Sequence, residues 1–556
     1  MKHIFSSLSF LFLSYCQLPG QCTQPQAIEY LHGNDVRAAF RNAGDMFWDG
    51  VEAQYQVPYT QGQPSISSIF AGALWLGAYD QGGNLLIAAQ TYRTAGSDYW
   101  SGPLDTAAQP IDCSGFDKIW QVKGTVVTAL LADYNDNGVI DNPIDTSLLL
   151  WPGRGNAYSF AINGVQLPDQ DLAPFFDRNF DGIYNPYQGD YPVADPNHTD
   201  VIADDMLWMV FNDNGNIHSQ SFGLPLKIEV QLTAYAFYCT GDDLINQSIF
   251  TRHKIINKNS QNLHNLKIGL WTDFDLGCPS DDYIGTIPNL NTIYAYNQDN
   301  NDDTLCSFAG IDGYGANPPV QAITLLNHSL TSSSYYVNSG STPMADPSAA
   351  LSYYRHLDGL LANGTPLTYG GNAYDPSSSN TTPFVFPDNP NSSTGWSMVS
   401  AALSGLDQRA IAATTVDTLL SNTSAELFAA YSYHRDIDSN NLQNINLMYQ
   451  QIPVLQSFYN NGYENSLCSH TVSVPQINST RATNLIAVHP NPSNDFINLK
   501  TDEVINKVSV ISPNGTTVMT STKTSFSVQE LPVGLYFLKI HTEKGFFTGS
   551  FMKKQM

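Results

Sequence analysis

The stretch Ile228-Glu-Val-Gln-Leu-Thr-Ala-Tyr-Ala-Phe-Tyr238 decides the fold class. Apolar residues stand at 228, 230, 232, 234 and 236, with Glu229, Gln231 and Thr233 between them. Successive side chains of an extended chain point to opposite faces, so this alternation describes a strand with one apolar face. The pattern returns in Ile249-Phe-Thr-Arg-His-Lys-Ile-Ile256, Leu266-Lys-Ile-Gly-Leu-Trp271 and Glu426-Leu-Phe-Ala-Ala-Tyr-Ser-Tyr433. Residues 66–89 read as strand, turn, strand, with Asp80-Gln-Gly-Gly-Asn84 supplying glycines for positive φ at the hairpin. The expectation is a mainly β chain: a large β-sandwich-type body with few helices, followed by a small C-terminal antiparallel β-sandwich.

Departures from that pattern are few. Val36, Ala39, Phe40 and Ala43 suggest a turn or two of helix within residues 34–47. Near the end of the body, Leu442, Ile445, Met448, Ile452, Leu455 and Tyr459 recur at helical spacing, with Ser439 as N-cap and Pro453 expected to kink or split the helix. Residues 329–346 and 376–398, rich in Ser, Asn and Pro, read as surface loops.

Charge is unevenly placed. The net value is −26, yet residues 485–556 hold 7 Lys against 5 acidic residues, which leaves 17 basic and 45 acidic residues before them, a net of −28. So acidic a body lacks the clustered cations that nucleic acid or an anionic membrane requires. Aromatic residues (12%) nearly equal charged ones (13%), the balance of a β-rich extracellular protein and not of a disordered chain. Lys2 and His3 followed by an apolar run at 4–15 read as a secretory signal peptide over residues 1–22, cut between Cys16 and Cys22. The run is shorter than the roughly 20 residues a membrane span needs, and no later stretch approaches that length. Tyr15 and Gln21 fit poorly before a lipidated Cys16 or Cys22. Cys113, Cys239, Cys278, Cys306 and Cys468 show no metal-type spacing, so one or two disulfides are expected, with one thiol left over or paired to Cys22.

The C-terminal segment carries Pro490-Asn-Pro492, a turn at Pro513-Asn-Gly515, Leu531-Pro-Val-Gly534-Leu-Tyr536 and a tail ending Lys553-Lys554. In order and spacing these resemble the type A C-terminal sorting domain of the type IX secretion system of Bacteroidota. The resemblance covers residues 484–556, behind a Ser/Thr/Asn-rich linker at 466–483 and a body at 23–465. It implies delivery to the outer-membrane cell surface or beyond, via the periplasm. It also implies contact with the secretion machinery through Pro490, Asn491, Pro492, Gly515, Gly534, Tyr536, Lys553 and Lys554, and removal of the domain or its exchange for a lipopolysaccharide anchor. A second resemblance runs from about residue 34 to about 465. Ala71-Gly-Ala-Leu-Trp75, Asp98-Tyr-Trp-Ser-Gly-Pro-Leu104, Asp177-Arg-Asn-Phe-Asp-Gly182 and Trp271-Thr-Asp-Phe-Asp275 are similar to large secreted Bacteroidota proteins of unassigned activity.

Three acidic segments could carry chemistry. Asp133, Asn135, Asn137 and Asp141, with Gly138 between the last two, stand at positions 1, 3, 5 and 9 of a calcium-type loop. Asp177, Asn179, Asp181 and Asn185 repeat the spacing around Gly182, with Asp190 close behind. Position 12 is Ile144 in one and Gln188 in the other, so neither is an ordinary EF-hand. Asp273, Asp275, Asp281 and Asp282 place four carboxylates within ten residues, which repel unless solvated or bridged by a cation. Ca2+ is therefore the expected cofactor. The same carboxylates could instead serve as the paired acids of a polysaccharide-degrading enzyme. No HExxH, GxSxG, GxGxxG or Walker pattern is present. Trp75, Tyr99, Trp100, Trp208, Trp271 and Trp396 could stack on sugars, although core packing is the commoner use of Trp. Three Asp-Thr-apolar triplets (Asp105, Asp303, Asp417) match a glycosylation pattern at about chance frequency. The function expected is a calcium-stabilised structural, adhesive or glycan-binding body whose partners are extracellular glycans or proteins.

Overall fold

The computed structural model describes residues 22–464 apart from 304–305, 307–312, 339 and 342, then Cys468, and residues 487–554 apart from 502–503, 513–516 and 543–544. Residues 1–21 of the expected signal peptide and nearly all of the linker lie outside the described residues, whereas Cys22, its expected last residue, is described and bonded to Cys113. The chain divides into two compact units, Met1–Val472 and Ser473–Met556. It is mostly β, with 36% of residues in strands against 14% in helices, as the alternating patterns require.

Two large antiparallel sheets build the first unit. One runs Ser332–Val337, Gln408–Leu419, Leu263–Asp273, Ala71–Tyr79 and on to short N-terminal strands. The other runs Asp282–Ile287, Thr292–Asn297, Val320–Leu325, Ser424–His434, Ser248–Asn257, Ile228–Ala236 and Asp205–Asn212. Their facing sides share one core, in which Leu74, Leu76, Ile268 and Leu270 meet Leu207, Leu232, Ala234 and Leu427. The outer faces are covered too. The helix Ala350–Leu357 lays Tyr353, Tyr354 and Leu357 over Trp75, Trp271 and Ile411. A long insertion carrying Trp120, Leu131, Trp151 and Tyr184 covers Trp208, Tyr235 and Phe250. Every residue of Ile228–Ala236 is consequently buried, including the polar side of its alternation.

Several local expectations are corrected. Residues 34–47 hold the strand Arg37–Arg41, not helix, because Ala38 and Phe40 turn into the shared core while the backbone pairs with Ile28–Leu31. The late helix spans Asn441–Asn460 with Asn440, not Ser439, as N-cap, and it runs through Pro453 unbroken. Pro453 is exposed, so the carbonyl its missing N–H leaves free can bind water. Residues 329–346 include the strand Ser332–Val337. Residues 376–398 form loops that are anchored, since Val385, Phe386 and Trp396 enter the main core. Among the described residues the cysteines form two disulfides of their own, Cys239–Cys468 and Cys278–Cys306, and the fifth, Cys113, pairs with Cys22, one of the two outcomes expected for it. The hairpin is as read. Ala71–Tyr79 pairs with Leu85–Ala89, and Asp80 accepts the backbone N–H groups of Gly82 and Asn84 at 2.8 Å each.

The second unit has a three-stranded sheet (Ala487–His489, Phe496–Lys500, Ser525–Ser527) and a four-stranded one (Thr517–Ser521, Ile505–Ile511, Gly534–Thr542, Gly545–Lys553). Ile497, Val508, Val510, Phe526, Leu538, Ile540 and Phe551 form its core.

Candidate cation centre

The acidic segments are placed very differently from one another. The helix Gly124–Asn137 extends through the first of them, so Asp133, Asn135 and Asn137 are helical residues. At 100° per residue, positions i and i+2 diverge, and the loop-type ligand arc is not formed. Asp133 instead accepts the backbone N–H groups of Asp141 and Asn142 at 3.0 and 3.1 Å, and Asp141 accepts from the Asn137 amide at 3.1 Å. The second segment keeps its turn. Asp177 accepts from Gly182 N at 2.8 Å, Asn179 and Asp181 bond each other, and Asn185 accepts from Tyr187 N. Asp190 is fully buried and accepts from Arg178 N and Asn185 N at 2.8 and 2.9 Å. Burial, with Asp177 and Asp181 near it, pushes its carboxyl up to about 6. One oxygen, Asp177 Oδ1, is buried without a partner.

Convergence occurs at the third segment. Asp273 ends the strand Leu263–Asp273, Asp275 follows it, and Asp407 immediately precedes the neighbouring strand Gln408–Leu419. One oxygen from each of Asp273, Asp275 and Asp407 falls within 4.8 Å of the others. Arg409, directly opposite Asp273 in the ladder, is the cation of the group. Its Nη2 donates to Asp273 Oδ2 at 3.0 Å, its Nε lies 3.0 Å from Asp273 Oδ1, and its Nη1 donates to Asp407 Oδ1. Tyr92 also donates to Asp273 Oδ2, at 2.5 Å. Three carboxylates against one guanidinium leave a formal charge of −2, matching one divalent cation.

The oxygens point the same way. Asp275 Oδ1, Asp282 Oδ1 and Gln408 Oε1 are buried with no hydrogen-bond partner. Asp282 is 2% exposed and uses only Oδ2, which accepts from Leu276 N at 2.9 Å. An unpartnered buried oxygen carries its full desolvation cost. Burial pushes the Asp273 carboxyl up to about 7 even beside Arg409, and it raises Asp275 well above the ordinary range, with Asp273, Asp407 and Asp282 adding repulsion. These are hard oxygen donors of the kind calcium takes. Asp281 belongs to a neighbouring group with Asp302 and Cys278, but the Cys278 sulfur is committed to Cys306 and offers no thiolate. Asp302 there accepts from Cys278 N at 3.1 Å and from Tyr314 N. The sequence reading missed Asp407 and Gln408, which lie far from Asp273 along the chain and carry no local signal.

A glycosidase pair needs room for a sugar and often a water, with the carboxyl groups roughly 5–9.5 Å apart. The Asp273 cluster is tighter than that and is tied to Arg409 and Tyr92. The six aromatic residues that could have stacked on sugars are all buried, the most exposed at 3%.

In the second unit, Asn491 accepts from Met552 N at 2.9 Å and donates to Ser550 O at 3.1 Å, so Pro490–Pro492 lies along the final strand. The Tyr536 hydroxyl donates to Pro532 O at 2.9 Å, and its ring stacks on Phe551. Lys553 is buried with its ammonium donating to Asn494 O at 2.5 Å, whereas Lys554 is exposed. Gly534 opens the Gly534–Thr542 strand with open space where a Cβ would stand. Gly515 lies outside the described residues.

Residues 487–554 match the family described as secretion system C-terminal sorting domain. This is the type IX domain, and it assigns the chain to type IX secretion, to the cell surface or extracellular space. No described helix is long and apolar enough to cross a membrane. Among solved structures, one described as a polysaccharide lyase is similar at a TM-score of 0.18 and 8% identity, over 59% of this chain. The chain spans 34% of that protein's length. No curated protein matches.

Proposed function

We propose that this type IX cargo works outside the cell as a calcium-stabilised structural, adhesive or glycan-binding scaffold. Calcium is held by Asp273, Asp275 and Asp407, whose oxygens converge within 4.8 Å of one another. The observation that carries this reading is the buried, unpartnered Asp275 oxygen inside a converging three-carboxylate cluster of formal charge −2, where two strands of the main sheet end. A cation there neutralises the cluster and joins the end of Leu263–Asp273 to the start of Gln408–Leu419. Its task is mechanical: it locks the ends of these two neighbouring strands and the loop carrying Asp275.

Thermal unfolding of the full chain with calcium and then with excess chelator tests the proposal. A ligand bound only by the folded state at a hundredfold excess over Kd adds about 2.7 kcal/mol. The expected result is a midpoint several degrees lower in chelator, with Asp275→Asn and Asp407→Asn abolishing the difference. Equal midpoints with and without calcium would refute the calcium site, and calcium dependence that survives both substitutions would move it elsewhere, first to the Asp177 turn.

A further inference from the structure

The polar side of Ile228–Ala236 leads to a second site. Gln231 stands opposite Lys254 in the ladder, and Lys254 in turn stands opposite Glu426. Gln231, Lys254 and Arg252 border a cavity of about 200 Å3, closed by Arg154, Asp171, Pro174, Phe175 and Pro196 of the insertion. Three cations therefore converge on one cavity in a unit whose sequence is strongly acidic.

Two of the three are neutralised. Arg154 pairs with Asp169 at 2.8 Å and Asp171 at 3.2 Å. Arg252 takes both oxygens of Glu426, at 3.1 and 2.5 Å. Glu229, the other acid near Lys254, faces Lys258 at 3.5 Å and accepts from Leu104 N, Gln170 and Gln231. Every carboxylate that could pair with Lys254 is thus turned to another group. Among the described residues, Lys254 Nζ has neither an ion-pair nor a hydrogen-bond partner. Burial, then repulsion from Arg252, holds its pKa below the ordinary lysine value. Lys254 is half-buried, and its ammonium reaches solvent at the cavity, where it is free to meet an anion.

A second unmet group lies beside it. Gln231 is 1% exposed, and its Nε2 donates to Asp171 O and to Glu229 Oε1 at 2.8 Å each. Its Oε1 accepts from nothing. An unpaired cation next to an unpaired acceptor matches a ligand that offers an anion and an O–H together. Phe175, Pro174 and Pro196 supply an apolar wall of the kind that covers a sugar ring.

We propose that this cavity binds an acidic saccharide, its carboxylate on Lys254 Nζ and a neighbouring hydroxyl donating to Gln231 Oε1. The inference rests on the glycan-binding form of the function proposed above and names its ligand class.

Calorimetric titration of the full chain, in calcium, with glucuronate, glucose, acetate and an oligouronate tests it. Glucuronate and the oligouronate should bind, glucose and acetate about tenfold more weakly or not at all, as befits one charge-assisted hydrogen bond. Lys254→Met should cost about tenfold in glucuronate affinity through loss of the same contact, with an unchanged or raised thermal midpoint. Gln231→Leu should weaken glucuronate but not acetate, which gives a second reading should Lys254→Met fail to fold. Equal binding of glucose and glucuronate, or of acetate and glucuronate, would overturn the assignment. Oligouronate binding indifferent to both substitutions would overturn this site while leaving glycan binding standing. Failure of every saccharide to bind would overturn both.

Discussion

Trp75 shows how little a residue's type says about its use. It sits among the aromatic residues suited to sugar stacking, yet it is fully buried, stacked 6.1 Å from Trp271 with Nε1 donating to Gln90 O at 2.7 Å. Removing such a side chain loses its transfer free energy and opens a cavity, so Trp75→Ala should cost about 3–5 kcal/mol. Urea unfolding checks this, and a midpoint equal to that of the parent chain would contradict the packing role. The acidic residues divide on the same principle. Asp133 is spent on backbone N–H groups, whereas Asp275 keeps an oxygen free, and no sequence rule separates the two.

At the scale of elements, the Asn441–Asn460 helix was legible because Ile445, Met448 and Ile452 keep one face in the core between the sheets, with Leu455 in the core beneath the insertion. Its start was misplaced by one residue. Ser439 and Asn440 are both good caps, and what separates them is that Asn440 accepts Gln443 N at 2.9 Å while Gln443 Oε1 accepts Asn440 N at 3.0 Å. Asn440→Ala should therefore destabilise by about 1 kcal/mol, the usual worth of an N-cap. Ser439→Ala is the control, since that side chain donates only to exposed Asp436. Equal urea midpoints for the two variants would show that the cap is dispensable. The strand Arg37–Arg41 is the converse case: of four apolar residues spaced as on a helix, Ala39 and Phe40 fall in a strand because neighbouring strands pair with it from both sides.

For the whole molecule, the doubly covered sheets have a pH consequence. His253, His356 and His434 are buried, and burial lowers their pKa values from 6.5 to about 3, 3 and 4. A folded-state pKa below the unfolded one means stability fully present above pH 6.5 and lost as pH falls toward 4. Each such group loses about 1.4 kcal/mol per pH unit across that window. The buried carboxyls of Asp190 and Asp273, raised to about 6 and 7, oppose this by taking up protons in the folded state over the same range. The histidine contribution is therefore read as a difference: urea midpoints of His253→Leu should rise relative to those of the parent chain as pH falls from 7 to 5. An unchanged slope in that variant would place the acid sensitivity elsewhere.

By itself the sequence determined two things about this protein: that its chain is built of strands, and where it is sent. Both are written locally. Alternation along Ile228–Ala236 reports the two sides of one strand, and the elements from Pro490 to Lys553 are near enough in sequence to be read as one motif. Tertiary structure alone decided that Asp407 joins Asp273 and Asp275, that Cys239 reaches Cys468, and that Lys254 is left without its opposite Glu426. Side-chain periodicity records which face is apolar but not which strand lies alongside. The partner is set by packing two large sheets and their covers at once, and the charges and sulfurs at the sheet margins follow from that choice.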